Sequence, residues 1–450
     1  MTGAARPAPA RPPWRLVREG VQRLSWGVAD QAVGALTNFL LSIYIARTLG
    51  AVQFGSFTLA YVTYGFANNI SRGLAIEPLL TRFSGLDLAA WRRAAAGSTG
   101  TALVVGLVTG ACASLAGWLM GGTTGLAFLA LGMVLPGLML QDSWRYALFA
   151  QRLGHHAFLN DLLWAAVQVC LLLVLRSSGH ANVFGCVLAW GAGAAVGAVV
   201  GAWQAGVVPS LARVRGWLAE HRDIGPRYLA ENTGNNASDT FRSFAVSGIL
   251  GLASVGYIQA AGTLMGPFRI IYLGLSLIVT PEAVRILRRS PRRLPLFCLV
   301  LSVGLALLAL AWGTALLVAM PRGLGDLTLG ELWHPTYPLV LPSALALISA
   351  GATLGAVQGL RALNAARRSL RAVLAGSVVV LAATLVGAEL GGLVPAMYCY
   401  GIASWVSTLL TWTQFRTALQ EADVPLPVWL LPPRPRPPVR QEAPTEAGIG

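Results

Sequence analysis

Lysine is absent from the 450 residues, and charge of either sign is scarce: 11% of the chain is Asp, Glu, Lys or Arg, where soluble domains run near a quarter. Without a lysine there is no Walker-type phosphate loop, which argues against ATP hydrolysis by this chain. Cysteine is also thin. Cys112, Cys170, Cys186, Cys298 and Cys399 all fall in apolar segments, with no C-x-x-C pair and no histidine at ligand spacing, so they read as small buried hydrophobes and no metal is implied. His155 and His156 are adjacent and cannot share one helix face, so they form no metal site. Long hydrophilic loops are missing too. The largest segment on the arginine-poor side, Pro321 to Thr336, offers only Arg322, Asp326, Glu331 and His334, too little for a membrane glycosyltransferase or ligase, and the chain is not expected to be an enzyme.

What the chain has is apolar length. It is 55% hydrophobic with a mean hydropathy of +0.63, more apolar surface than a soluble core can hide. A window of about 20 residues finds twelve candidate spans, near 25 to 46, 54 to 74, 95 to 119, 125 to 144, 157 to 175, 182 to 204, 228 to 249, 254 to 280, 295 to 319, 337 to 360, 372 to 388 and 394 to 415. The first is too long and too polar for a cleavable signal and is expected to stay as a span.

All 33 basic residues are arginine, and the net charge is +15. They sit in short runs between apolar segments, which fits the positive-inside rule better than nucleic-acid binding. One side of the twelve-span layout takes 27 of them, including Arg145 and Arg152 between spans four and five, whereas the other takes Arg47, Arg176 and Arg322. Both termini are therefore expected in the cytoplasm of a multi-pass protein of the bacterial inner membrane. The expected layout is a basic N-terminus over 1–24, a six-helix bundle over 25–205, a linker over 206–227, a second bundle over 228–416, and a disordered Pro-rich tail over 417–450.

Sliding the chain by 201 residues superposes Leu49, Gly50, Gly55, Ala60, Gly65 and Ile70 on Leu250, Gly251, Gly256, Ala261, Gly266 and Ile271. Six spans per half give both halves one orientation, a parallel repeat about an axis along the membrane normal. Span seven carries Glu231, Asn235, Ser238, Asp239 and Arg242 at spacings that share one helix face. The same slide finds Asp30, Gly34, Thr37 and Asn38 on span one. Ionisable groups are costly against lipid, so both stripes are expected to face a water-filled cavity between the halves. The alternative is interhelical polar glue, with Asp239 paired to Arg242. Arg242 lies about 21 Å into its span, too deep to snorkel easily. Arg269 follows the Gly266-Pro267 break in span eight, and Arg72 near the end of span two either snorkels or faces the cavity. Tyr61, Tyr64 and Asn68 recur with Arg72 on one face of span two, which suits sugar hydroxyls or plain packing. Gly193, Gly197 and Gly201 form small-xxx-small spacing, a sign of close helix packing.

The run Ser25-Trp-Gly-Val-Ala-Asp30-Gln31-Ala32, then Thr37-Asn38-Phe39, Ala46-Arg47-Thr48-Leu49-Gly50, Phe54-Gly55 and Arg72 through Glu77-Pro78, resembles polysaccharide (O-antigen-type) flippases of the multidrug/oligosaccharidyl-lipid/polysaccharide (MOP) superfamily. Beyond that stretch the resemblance rests on the twelve-span layout. It implies an all-α membrane protein of two six-helix halves, whose spans one, two, seven and eight line a central cavity. It also implies alternating access that moves a polyprenyl-pyrophosphate-linked oligosaccharide to the outer leaflet for surface polysaccharide synthesis. Arg242, Arg269 and Arg72, with Asn68, Tyr61 and Tyr64, are then the candidate substrate contacts, because arginine offers planar forks for phosphate. Asp239, Glu231, Asp30, Asn38 and Asn235 are the candidate ion-coupling groups. No cofactor is implied; membrane lipids and a polysaccharide polymerase or export complex are the candidate partners. The competing reading is a cation-coupled exporter of drugs or metabolites on the same fold.

Overall fold

The computed structural model describes residues 13–84 and 87–424, without the side chains of residues 13–25, 28, 231, 233–236, 273 and 276–278. Among the described residues every regular element is helical. Helix α1 runs Pro13–Ser71 and is broken at Gly50, whose φ of 74° and ψ of 174° are open to glycine but not to a side-chain-bearing residue. It continues through a π-turn, Arg72–Ile76, into α2, Glu77–Phe83. Helices α3 (Leu88–Met120), α4 (Gly122–Ala150), α5 (Gly154–Ser177) and α6 (Val183–Ala205) complete the first half. Gly193, Gly197 and Gly201 let α6 approach Trp164, Asn160 and Trp144 closely, the packing expected of their spacing.

The short α7, Val214–Glu220, carries the linker. The second half contains α8 (Gly225–Leu250), α9 (Leu252–Leu264), α10 (Gly266–Arg289), α11 (Leu294–Ala319), the short α12 (Leu324–Leu329), α13 (Trp333–Ala362), α14 (Ala366–Gly391) and α15 (Leu393–Glu421). Among the described residues nine helical stretches are long and apolar enough to cross a bilayer, and the first, Ala29–Phe83, holds two crossings on either side of Gly50. Helix α8, which at 26 residues is long enough to span, and the α9–α10 pair stand where the seventh and eighth of the twelve spans were expected.

The 201-residue repeat is physical. Gly251 repeats the break of Gly50 with φ 83° and ψ 167°. A Cβ on Gly55 would collide with the Leu252 carbonyl, and one on Gly256 would collide with the Ala51 carbonyl. The two contacts exchange under the same shift, so the halves meet through a pseudo-two-fold junction at the arginine-poor ends of spans two and eight.

Two sequence boundaries move. Helix α15 extends to Glu421, past the expected tail boundary at 417, because Leu419 is fully buried and Arg368 bonds Glu421 through Nε at 2.8 Å. The rest of the expected tail, from residue 425, lies outside the described residues. Arg145, read as a loop residue, is inside α4; its partners within the helix bundle hold it there.

Candidate functional site

Two polar centres occupy the two halves, and the described members of the two stripes, Asp30, Thr37 and Asn38 on α1 and Ser238, Asp239 and Arg242 on α8, sit against elements of their own half. In the first half, the π-turn at Arg72 aims its guanidinium at Asp142 on α4 with two bonds, Nε–Oδ2 at 2.8 Å and Nη2–Oδ1 at 2.9 Å. Arg145, one turn further along α4, binds Asp30 of α1 through Nε at 2.7 Å and reaches Asp161 of α5 at 3.3 Å. Asn68 adds a hydrogen bond to Asp142, and the Gln141 amide donates to Asp161 at 2.7 Å. The Tyr146 ring lies 5.1 Å from the Arg72 guanidinium and 5.6 Å from that of Arg145. Asp30 is fully buried, and Asp142 and Asp161 are nearly so. Three buried carboxylates therefore face two guanidinium groups, that of Arg145 largely buried and that of Arg72 partly exposed, for a formal charge of −1 with every group ionised. Burying charge is tolerable only with such pairing.

The π-turn also frees backbone carbonyls. Leu74 O accepts from Trp217 Nε1 of the linker helix at 3.0 Å, and Ala75 O accepts from Ser98 Oγ at 2.8 Å. One irregular turn thus holds Arg72 in the cluster and anchors the linker to the first half.

These contacts correct several expectations. Arg72 does not snorkel; it is bound inward. Asn68 belongs to the same cluster. Tyr61 and Tyr64 pack on Trp190, at 5.7 Å and, edge-on, at 4.9 Å, so the aromatic stripe is packing. Asp142, Asp161 and the inward role of Arg145 escaped the sequence reading, although two acids inside apolar spans are a signal in themselves. Asn38, with Gly34 and Thr37, lines a small cavity of about 30 Å³ against Asp161 and Gln168, not a space between the halves. The side chains of Glu231 and Asn235 lie outside the described residues. Arg269 is exposed near the start of α10.

In the second half, Ser238, Asp239 and Arg242 of α8 face a chamber of about 310 Å³ shared with α10, α13, α14 and α15. Arg242 is held at 3.0 Å by Asp239 and sits 4.3 Å from the Tyr400 ring. The ion pair foreseen as glue is present, but the pair also borders open space. Ser349, Thr353, Ser377, Ser404, Ser407 and Thr411 supply most of the remaining polar lining. Helical hydroxyls satisfy their hydrogens on carbonyls four residues back, as Thr353 does on Ser349 at 2.8 Å and Ser404 on Tyr400 at 2.8 Å. Ser349 and Thr353 also pair with the Thr408 hydroxyl, at 2.8 and 2.7 Å; the hydroxyl oxygens of Ser404, Ser407 and Thr411 keep lone pairs available as acceptors. A fixed guanidinium ringed by hydroxyls suits a polar, hydroxyl-rich ligand that carries negative charge.

The chain matches no protein-family model and no curated protein sequence. Its fold is that of solved MOP-superfamily transporters. An inward-facing multidrug resistance MATE family transporter aligns over 87% of this chain and 95% of its own, with a TM-score of 0.70 and 13% identity. The lipid II flippase MurJ, in an inward closed conformation, aligns over 88% of this chain and 90% of its own, with a TM-score of 0.64 and 10% identity. A MOP superfamily transporter from Pyrococcus furiosus, described as having a binding pocket of reversed polarity, aligns over 90% and 96% with a TM-score of 0.58 and 12% identity.

Proposed function

We propose that this protein is a flippase that carries a polyprenyl-pyrophosphate-linked oligosaccharide from the cytoplasmic to the outer leaflet of the bacterial inner membrane, for surface polysaccharide synthesis. The observation that carries the reading is the hydroxyl-lined chamber in the second half with Arg242 fixed at its wall. A glycan offers the hydroxyls such a lining pairs with, and a charged group crossing hydrocarbon needs a compensating cation. The MOP fold, shared with a lipid II flippase, supports a transport cycle of this kind. The arginine asymmetry supports cytoplasmic termini, and a polysaccharide polymerase or export complex is the partner such a flippase would feed.

The test is Arg242→Ala against Arg242→Lys. The alanine variant should accumulate lipid-linked glycan on the cytoplasmic leaflet at normal protein abundance. Lysine should restore only part of export, since an ammonium cannot present a planar fork. Normal glycan export by a well-expressed Arg242→Ala variant would remove this residue from the substrate path.

A second reading, a cation-coupled exporter, draws on the buried cluster of Asp30, Asp142 and Asp161, whose net charge of −1 leaves room for one bound cation or proton. Asp30→Asn should then abolish dependence of transport on the ion gradient while the protein still inserts. Unchanged gradient dependence would make Asp30 a structural partner of Arg145.

A further inference from the structure

The chamber around Arg242 is not closed. Val357, Ser369 and Val373 line it and also line a second cavity of about 570 Å³. The two adjoin along these residues and together mark out a passage whose other end is bordered by Arg227 of α8, Arg361 of α13 and Asn364. Asn364 sits in the turn between α13 and α14 with a φ of 53°, a backbone conformation that asparagine tolerates better than most residues.

Two helices give the passage a consistent depth. Arg227 and Arg242 are 15 residues apart on α8, about 22 Å of helix. Arg361 and Ser349 are 12 residues apart on α13, about 18 Å. Half a bilayer's hydrocarbon is about 15 Å. Arg227 and Arg361 therefore stand at headgroup depth on the arginine-rich side, and Arg242 stands near the membrane middle.

The mouth is cationic, the interior is hydroxylic, and one wall is greasy. Leu370 and Leu374 of α14 line the mouth and are 54% and 50% exposed. That wall opens the mouth toward lipid, where an apolar chain can lie against it while a charged group stays at the arginines.

We propose that Arg227 and Arg361 hold the phosphate groups of a membrane-lipid substrate at this mouth while its polar head group enters the hydroxyl-lined chamber. The assignment rests on the flippase reading and adds to it the place where the phosphates dock on entry, some 20 Å from Arg242, which the charged group meets later in the crossing. Guanidinium groups remain charged at any working pH and present bidentate donors to phosphate oxygens. The exposed leucines favour a lipid-borne phosphate over a soluble one.

The test is direct binding of radiolabelled farnesyl pyrophosphate to the full-length protein in phosphatidylcholine nanodiscs, with farnesol and inorganic pyrophosphate as competitors. Arg227→Gln and Arg361→Gln should each weaken farnesyl pyrophosphate binding about tenfold, and the double variant more, because each removes a charge-assisted fork. Farnesol should compete poorly against wild type. Arg367→Gln, on the same face but not lining the mouth, should bind like wild type. Retained binding in the double variant, or an equal loss in Arg367→Gln, would overturn the site. Equal affinity for inorganic pyrophosphate would overturn its assignment to a lipid. The two readings separate cleanly. Lost export in Arg242→Ala with unaltered binding in the mouth variants would sink the mouth alone. Normal export in Arg242→Ala with a tenfold loss at the mouth would sink the chamber's role and leave the mouth standing.

Discussion

Replacing Arg145 by alanine removes the one residue that reaches all three acids of the buried cluster. Arg145 bonds Asp30, lies 3.3 Å from Asp161 and 3.8 Å from Asp142, and Asp30 beneath it has no exposure to water. The cluster's net charge would go from −1 to −2. Taking one partner from a buried ion pair costs roughly 3–5 kcal/mol, because the other charge stays buried and uncompensated. That is a large share of a total stability of roughly 5–15 kcal/mol. Asp161→Asn acts in the opposite sense. It brings the cluster to neutrality, and the asparagine can still accept from Gln141, so its cost should stay below about 1 kcal/mol. The double variant returns the net charge to −1 and should recover part of the single loss. Thermal unfolding in detergent would read these as a fall of about 3–5 °C for Arg145→Ala, at roughly 1 °C per kcal/mol for a chain of this length, little change for Asp161→Asn, and an intermediate value for the pair. An Arg145→Ala variant as stable as wild type, or an Asp161→Asn variant less stable than it, would refute the charge accounting.

Three further outcomes are expected. Gly55→Val should wedge α1 from α9 at Leu252 and raise labelling, from the arginine-poor side, of a cysteine placed at Gly262, a position with open space around it; unchanged labelling would show that the junction does not close that side. Impermeant thiol reagents applied outside cells should label cysteines placed between Arg176 and Ala181 but not between Arg285 and Arg293, and the reverse pattern would overturn the orientation. The third concerns the linker. Desolvation of the Asp223 carboxyl is outweighed by its own backbone N–H, by Arg82 and by the Ile224 N–H, which together hold it below the usual carboxylate range. A depressed folded value stabilises docking above the ordinary pKa of about 3.9 and loses that contribution as pH falls through the lowered value. Proteolytic nicking of the linker should stay flat down to that region and then rise, and Asp223→Asn should remove the pH dependence; a rise at higher pH in wild type would point to another group.

The spans and the repeat were legible because both are written in local composition. Apolar length marks crossings, and paired glycines recur wherever the two halves must approach. The seventh span was legible only as the weakest segment, since residues that lower its hydropathy also line the chamber: Ser238, Asp239 and Arg242. The cluster in the first half was not legible. Arg145 and Asp30 are 115 positions apart, and a charge near a helix end looks the same in sequence whether it faces water or turns inward. Asp142 and Asp161 lay inside drawn spans, yet nothing in their spacing showed that two arginines complete them. The π-turn was hidden as well, because a single glycine, Gly73, within residues 72–76 does not distinguish a π-turn from a regular helix; tertiary partners for Leu74 O and Ala75 O stabilise it.

The junction of Gly55 with Leu252 and Gly256 with Ala51 is made of backbone against backbone. It contains no group that takes up a proton, binds a cation or feels ionic strength, so its strength is the same on either side of an ion gradient. A latch of that kind cannot sense the fuel. In the transport cycle proposed above, the driving energy enters at the charged centres deeper in each half and reaches this junction as leverage along spans two and eight, with the breaks at Gly50 and Gly251 as the fulcrums.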